Sequence, residues 1–365
     1  MTDYMKNLLI NLWLIYYHNL TWREFSVSSN LKIFLEDFAQ TPRKWLVTGA
    51  AGFIGSHLVE TLLNSGQTVV GLDNFSTGKR EKLSAIADLV GSANWQRFNL
   101  IEGDIRDPET CLGACRDIDI VLHQAALVSV PQSLNSPVET ASINVLGFAN
   151  ILAAAHNCGV RRVVYASSSA VYGAASGMSN LEEEIGQPLS PYALSKLENE
   201  QHASMYSRLF GLSTVGLRYF NVYGKRQTAD GGYAAVIPLW VAAGLEGGNC
   251  RIFGDGSATR DFCYIGDVVQ ANLRAATAEV GGWDGSSFNV GTGRPVTMSE
   301  LHSVLGVVLQ ECQPGIGWPE PEYGITRPGD ILHSCASIER ALTVIQFRAE
   351  YSLKDGLKTL VLPSN

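Results

Sequence analysis

Three observations in the sequence predict an α/β fold built on a doubly wound parallel sheet. Short apolar, β-rich runs alternate with longer helical patterns from residue 45 to about residue 220. The first apolar run passes straight into a glycine-rich turn, and a helical pattern follows at once. The 365 residues are 46% hydrophobic and only 17% charged, which supplies a large core. Strand–helix alternation suits a sheet covered on both faces, because each crossover lays a helix over the strands.

Residues 1–43 precede the first strand and read as an extension outside the main fold, with a helix on its surface. Within them, residues 8–17 are apolar except for Asn11, and Lys6 stands before the run. The run is too short to span a membrane. No small-residue cleavage site follows it closely, so no secretory signal is expected. Runs at 45–48, 68–72, 118–123, 163–166 and 214–217 read as buried parallel strands. Residues 54–65, 138–158 and 191–210 have helical period and length. After residue 221 the pattern becomes irregular and rich in glycine and proline. A helix at 267–278 and a strand at 287–290 are expected to return to the sheet. The expected organisation is an extension at 1–43, a dinucleotide-binding domain at 44–220 with later returns near 260–295, and a mainly substrate-binding domain at 221–365.

The 27 basic residues against 35 acidic ones leave a net charge of −8. With no long basic run, general nucleic-acid binding is not expected. A few local arginines still suffice to hold a phosphate. The cysteines, at 111, 115, 158, 250, 263, 312 and 335, are scattered and lack the paired spacing of a zinc site. No metal is expected, and reduced structural thiols point to a cytoplasmic protein.

The turn Gly49-Ala50-Ala51-Gly52-Phe53-Ile54-Gly55 sits between the first strand and its helix. Its glycines permit a tight turn, close approach of a pyrophosphate and close helix–strand packing. Free N–H groups at the helix start favour the negative charge. Asp73 stands 18 positions past Gly55, at the end of the next strand. An acid there accepts from adenosine ribose hydroxyls and repels a 2′-phosphate, so NAD is the expected cofactor. The sheet is therefore expected to be of Rossmann type, with a smaller, interleaved C-terminal substrate-binding region.

Ser190-Pro191-Tyr192-Ala193-Leu194-Ser195-Lys196 opens a helix, with Ser190 as cap and Pro191 in the first turn. Tyr192 and Lys196 are four apart and share a face. A phenol ordinarily titrates near 10, and a nearby ammonium favours the phenolate. Ser167, Ser168 and Ser169 follow a strand, where side chains face the ligand crevice of such a sheet.

The G-x-x-G-x-x-G spacing at Gly49, Gly52 and Gly55, together with Tyr192 and Lys196, resembles the extended short-chain dehydrogenase/reductase family. The resemblance makes Tyr192 and Lys196 catalytic and gives one serine contact with the sugar O4; the spacing to Tyr172 and Gly173 favours Ser168, with Ser169 close behind and not separated from it. It places Phe53, Ile54, Asn74, the pair Asp104 and Ile105, the loop Gln124, Ala125 and Ala126, Asn144 and Tyr219 around the cofactor. It implies a UDP-sugar substrate held by Asn221, Arg251, Phe253, Arg260, Arg327 and Asp330. Related dehydratases carry an Asp-Glu pair where this chain has Ser169 and Ala170, and related decarboxylases need a Glu there. What the resemblance leaves is reversible oxidation at C4, with the keto sugar turning over before it is reduced.

From residue 45 onward the chain most resembles the UDP-N-acetylglucosamine 4-epimerases of bacterial surface-polysaccharide pathways. Ser334 stands where hexose-restricted relatives carry a bulky Tyr, so an N-acetyl group is expected to fit. UDP-glucose/UDP-galactose and UDP-uronic acids are the alternative substrates, and a non-catalytic NAD sensor is a remote one. The resemblance also implies a homodimer through the helices at 138–158 and 191–210.

Overall fold

The computed structural model describes residues 29–173, 179–228, 235–279, 281–326 and 331–362. The apolar run at 8–17 lies outside them. The central sheet contains β1 (Lys44–Thr48), β2 (Thr68–Asp73), β3 (Phe98–Glu102), β4 (Ile120–His123), β5 (Arg162–Ser168), β6 (Ser213–Tyr219) and a last strand, Ser287–Val290. Its order is Ser287–Val290, β6, β5, β4, β1, β2, β3. All six pairings are parallel. The order reverses between β1 and β4, which opens a crevice beyond the strand ends at that point.

The expected strands are present, with ends shifted by two residues at most. No apolar run in the sequence marks β3. It is an edge strand with exposed Asn99 and Glu102, so it lacks the unbroken apolar run of the central strands. The expected helix at 191–210 is Pro191–Phe210, and those at 54–65 and 267–278 are Phe53–Asn64 and Ile265–Thr277. The helix at 138–158 runs Pro137–Asn157 and is widened by a π turn at Ser142–Leu146. Its composition and length match a membrane span. Here Phe148, Ile151, Leu152 and Ala155 pack into a core of the sheet instead.

Helices cover both faces. One core joins β1 residues Trp45 and Val47 to Leu58 and Leu62 of the first helix and to Val268 and Leu273 of Ile265–Thr277. The other lies under Pro108–Cys115 and Pro137–Asn157. Ahead of β1, the helix Ser29–Ala39 docks through Leu31 and Phe38, both buried. Phe38 packs on Trp45 with ring centres 5.7 Å apart. Buried Gln67 locks the join, accepting from the Arg43 amide at 2.8 Å and the Trp45 indole at 3.0 Å. A third core of Trp240, Ile252, Leu301, Leu305 and Leu357 holds the C-terminal region together.

Asp267 begins the helix Ile265–Thr277 and is fully buried. Its carboxylate accepts from the Glu350 and Tyr351 amides at 2.7 and 3.4 Å. Burial outweighs these bonds and pushes its pKa up to about 8. The folded chain therefore holds a proton that the unfolded chain releases above the ordinary carboxylate range. This contribution to stability is complete at acid pH and is lost as pH rises toward 8. Thermal melts from pH 5 to 8 are expected to show a declining midpoint, with a flatter slope in Asp267→Asn; an unchanged slope in the variant contradicts the assignment.

Candidate active site

The crevice is built from the turn upward. Gly49 follows β1 with φ +67°, and a Cβ there would lie 2.9 Å from the Ala125 nitrogen. A Cβ on Gly55 would stand 2.0 Å from the Gly49 carbonyl oxygen, so helix and turn meet backbone to backbone. No side chain caps the helix Phe53–Asn64 at Gly52, which leaves the first amides, including those of Phe53 and Ile54, available to an anion. This cradle fits the pyrophosphate of a dinucleotide.

Asp73 closes the strand end beside it. Its two oxygens accept from the Ala51 and Phe75 amides, each at 2.8 Å, which braces the turn. Each oxygen keeps a lone pair for a ribose hydroxyl. Asn74 donates to Asp104 at 2.9 Å, and Arg106 pairs with Asp104 at 2.6 Å. The Arg106 guanidinium holds the Asp104 carboxyl well below its usual range. Ile105 is buried, and its carbonyl accepts from Asn150 at 3.0 Å.

The loop after β4 is tied to β1. The Gln124 and Ala125 amides donate to the Thr48 hydroxyl at 3.2 and 3.1 Å, and half-buried Ala126 follows. Asn144 lies inside the π turn, where its amide exchanges two bonds with the Leu127 backbone at 2.8 and 2.9 Å. It also donates to the Ser195 hydroxyl at 3.0 Å, next to Lys196 in sequence. The π turn is thus where the loop after β4 is fastened to the helix that carries Tyr192 and Lys196.

That helix, Pro191–Phe210, is capped by the Ser190 hydroxyl, which accepts from the Ala193 amide at 3.1 Å. Lys196 is buried, its ammonium donates to the Ala166 carbonyl at 2.8 Å, and it lies 5.9 Å from the Tyr192 ring centre. Burial brings the Lys196 pKa down to about 8. The Tyr192 phenol faces the Ser168 hydroxyl, which pulls its pKa back against a rise caused by burial. The net direction is upward, opposite to the lowering expected from the sequence. The reason is burial, which the ammonium does not offset because it is bonded to the Ala166 carbonyl rather than to the phenol. Ser168 also accepts from the Ala170 amide at 3.1 Å. Ser169 starts the following turn, Ser169–Tyr172, and Ser167 points away to Glu200. Of the two candidate serines, Ser168 is the one opposite Tyr192.

Tyr219 is the cross-strand neighbour of Ser168. Its hydroxyl donates to Gln124 at 3.2 Å and accepts from Asn272 at 2.8 Å, and Gln124 donates to Asn272 at 3.1 Å. Asn272 was passed over in the sequence, where it is one polar residue on the buried face of a helix.

The residues expected to contact the substrate are more spread out. Asn221 is exposed in Asn221–Tyr223, which pairs in parallel with Phe262–Tyr264. Arg251 stacks over Phe253 at 5.2 Å, in a strand paired with Glu322–Gly324. Arg260 donates to the Thr259 carbonyl at 2.8 Å, and the Ser334 amide donates to that carbonyl at 3.3 Å. Ser334 is therefore near the backbone of Arg260. Arg327 and Asp330 lie outside the described residues. Among the described residues no cluster of three or more His, Cys, Asp or Glu is placed to hold a metal ion.

Residues 45–291 match the NAD dependent epimerase/dehydratase family. The chain belongs to this family. A UDP-glucose 4-epimerase of Mycolicibacterium smegmatis is 38% identical over 319 residues, covering 87% of this chain and 96% of its own. The structure of a UDP-N-acetylglucosamine 4-epimerase of Methanobrevibacter ruminantium, in complex with UDP-N-acetylmuramic acid, is 35% identical with a TM-score of 0.79, covering 88% and 97% of the two chains. The UDP-glucose 4-epimerase of Thermus thermophilus, solved with NAD, is 35% identical with a TM-score of 0.75, covering 87% and 97%. Family membership makes the chain NAD-dependent, and the glycine cradle and Asp73 fit that cofactor.

Proposed function

We propose that the protein inverts C4 of a UDP-linked sugar, interconverting UDP-N-acetylglucosamine and UDP-N-acetylgalactosamine. The observation that carries this reading is the Tyr192 phenol facing the Ser168 hydroxyl, one helical turn from Lys196. Bound NAD supplies a hydride acceptor that is also the later donor. Tyr192 takes the proton from the sugar O4 and returns it after the sugar has turned. Ser168 hydrogen-bonds the same oxygen in both orientations. The Lys196 ammonium, held by the Ala166 carbonyl, would bind a ribose hydroxyl of the cofactor. Asn221, Arg260 and Arg327 hold the diphosphate while the sugar moves, and Arg251 and Asp330 hold the uridine.

Ser169 and Ala170 bear no carboxyl group, so elimination has no proton carrier beside Tyr192. Half-buried Ser334 leaves room at the sugar 2-position, and the Methanobrevibacter relative named for an N-acetylated sugar is in keeping with this. The 38% identical UDP-glucose epimerase favours a second reading, UDP-glucose/UDP-galactose. Rates measured on the two sugar pairs decide between them, with the N-acetylated pair expected to be used. Replacing Ser334 with Tyr is expected to lower kcat/KM for that pair by about 100-fold or more while sparing UDP-galactose. An unchanged preference contradicts the assignment of Ser334.

A homodimer is also proposed. Val138 and Leu146 on one helix, and Leu194 and Leu209 on the other, are exposed apolar side chains suited to a four-helix contact. Light scattering at micromolar concentration tests this, and a monomer rules it out.

A further inference from the structure

Tyr192, Lys196 and Glu200 are spaced by four and share one face of the helix Pro191–Phe210. They meet three consecutive residues of β5. Lys196 donates to the Ala166 carbonyl at 2.8 Å. Glu200 Oε1 accepts from the Ser167 hydroxyl at 2.5 Å. Tyr192 faces Ser168. The family reaction as proposed uses the first and last of these contacts, and the middle one has no part in it.

Glu200 is also the acceptor for Arg218, with Nε to Oε1 at 2.8 Å and Nη2 to Oε2 at 2.7 Å. Both side chains are buried, at 7% and 3% exposure for Glu200 and Arg218, so water does not screen the pair. Arg218 is the cross-strand partner of Ser167 and directly precedes Tyr219. Its Nη1 donates to the Tyr172 hydroxyl at 2.9 Å and to the Glu182 carbonyl at 2.8 Å. The Tyr172 hydroxyl donates in turn to Asn289 at 2.6 Å. One carboxylate thus joins the Tyr192 helix to the serine strand. Through Arg218 it reaches the strand that ends in Tyr219 and the turn that follows Ser168.

We infer that Glu200 is a positioning residue, which with Arg218 and Ser167 sets the Ser168 hydroxyl in register with the Tyr192 phenol. A buried ion pair adds little stability over a well-packed apolar pair, whereas displacing a reacting group by about 1 Å costs roughly 100-fold in rate. The inference rests on the epimerase reading above.

The test is the double variant Glu200→Leu with Arg218→Met, which removes both charges and strands neither. It leaves the Ser167 hydroxyl and the Glu182 carbonyl without these partners, so it is expected to fold and retain NAD with a melting midpoint somewhat below wild type. Its kcat is expected to fall at least about tenfold while KM for the UDP-sugar stays within about threefold. Full kcat in the folded double variant overturns the inference. Ser167→Ala removes one hydroxyl and leaves the ion pair, so it carries the test if the double variant does not fold. Its kcat is expected to drop about fivefold and to recover in Ser167→Thr, and wild-type kcat in Ser167→Ala overturns the inference equally. A wild-type protein that epimerises no UDP-sugar refutes the epimerase reading instead. The ultraviolet titration of Tyr192, read against Tyr192→Phe, then decides the positioning role. A higher phenol pKa in Ser167→Ala supports it, and an unmoved one overturns it.

Discussion

Replacing Tyr192 with phenylalanine lowers kcat by a factor of about 10²–10⁴, the usual worth of a placed general acid–base. The substitution keeps the ring in the crevice wall and removes only the oxygen that faces Ser168. KM is expected to stay within about threefold, because the contacts proposed for the diphosphate and uridine lie elsewhere. NAD should be retained in full, since the cradle at Gly49 and Gly55 is untouched. Steady-state kinetics and the cofactor content of the purified variant check both halves. Turnover at half the wild-type rate removes Tyr192 from the chemistry. A large rise in KM at constant kcat makes it a binding residue.

Gly55→Ala is expected to abolish NAD retention. The added methyl would sit 2.0 Å from the Gly49 carbonyl oxygen and 2.7 Å from its carbon, and neither backbone atom can step aside by a side-chain rotation. The turn must open, or the helix Phe53–Asn64 must shift off it. Forced overpacking of this kind typically costs about 1–3 kcal/mol, so the midpoint of thermal unfolding should fall as well. Gly113→Ala is the control, because a Cβ there meets nothing within 4 Å inside the helix Pro108–Cys115. It should hold NAD and be stabilised by up to about 1 kcal/mol through helix propensity. A Gly55→Ala protein with its full complement of NAD contradicts the assigned cradle.

The parts of the fold that could be read from the sequence are those with a local signature. Apolar runs buried on both faces mark the central strands, and Ser190 with Pro191 marks the start of the long helix to the residue. β3 escaped because an edge strand needs no such run. In the site, the glycine turn and the Tyr192–Lys196 spacing lie within single segments and were legible. Contacts made between distant segments were not. The Gln124–Tyr219–Asn272 triangle joins positions up to 148 residues apart. Glu200 carried a visible signal, four residues past Lys196 on the same face, yet its partners Ser167 and Arg218 arrive from two other strands. The spacing to Tyr172 and Gly173 leans to Ser168, but its separation from Ser169 depends on where β5 ends. The raised Tyr192 pKa depends on burial and on a lysine engaged with a carbonyl, both properties of the packed chain.

Proton NMR of UDP-N-acetylglucosamine, incubated in D2O with the purified protein and no added cofactor, is decisive for C4 inversion. UDP-N-acetylgalactosamine is expected to appear with its C4 hydrogen retained, because the hydride taken from C4 returns to it. Deuterium at C4, or no new sugar from any UDP-hexose tried with NAD-loaded protein, contradicts the proposed function.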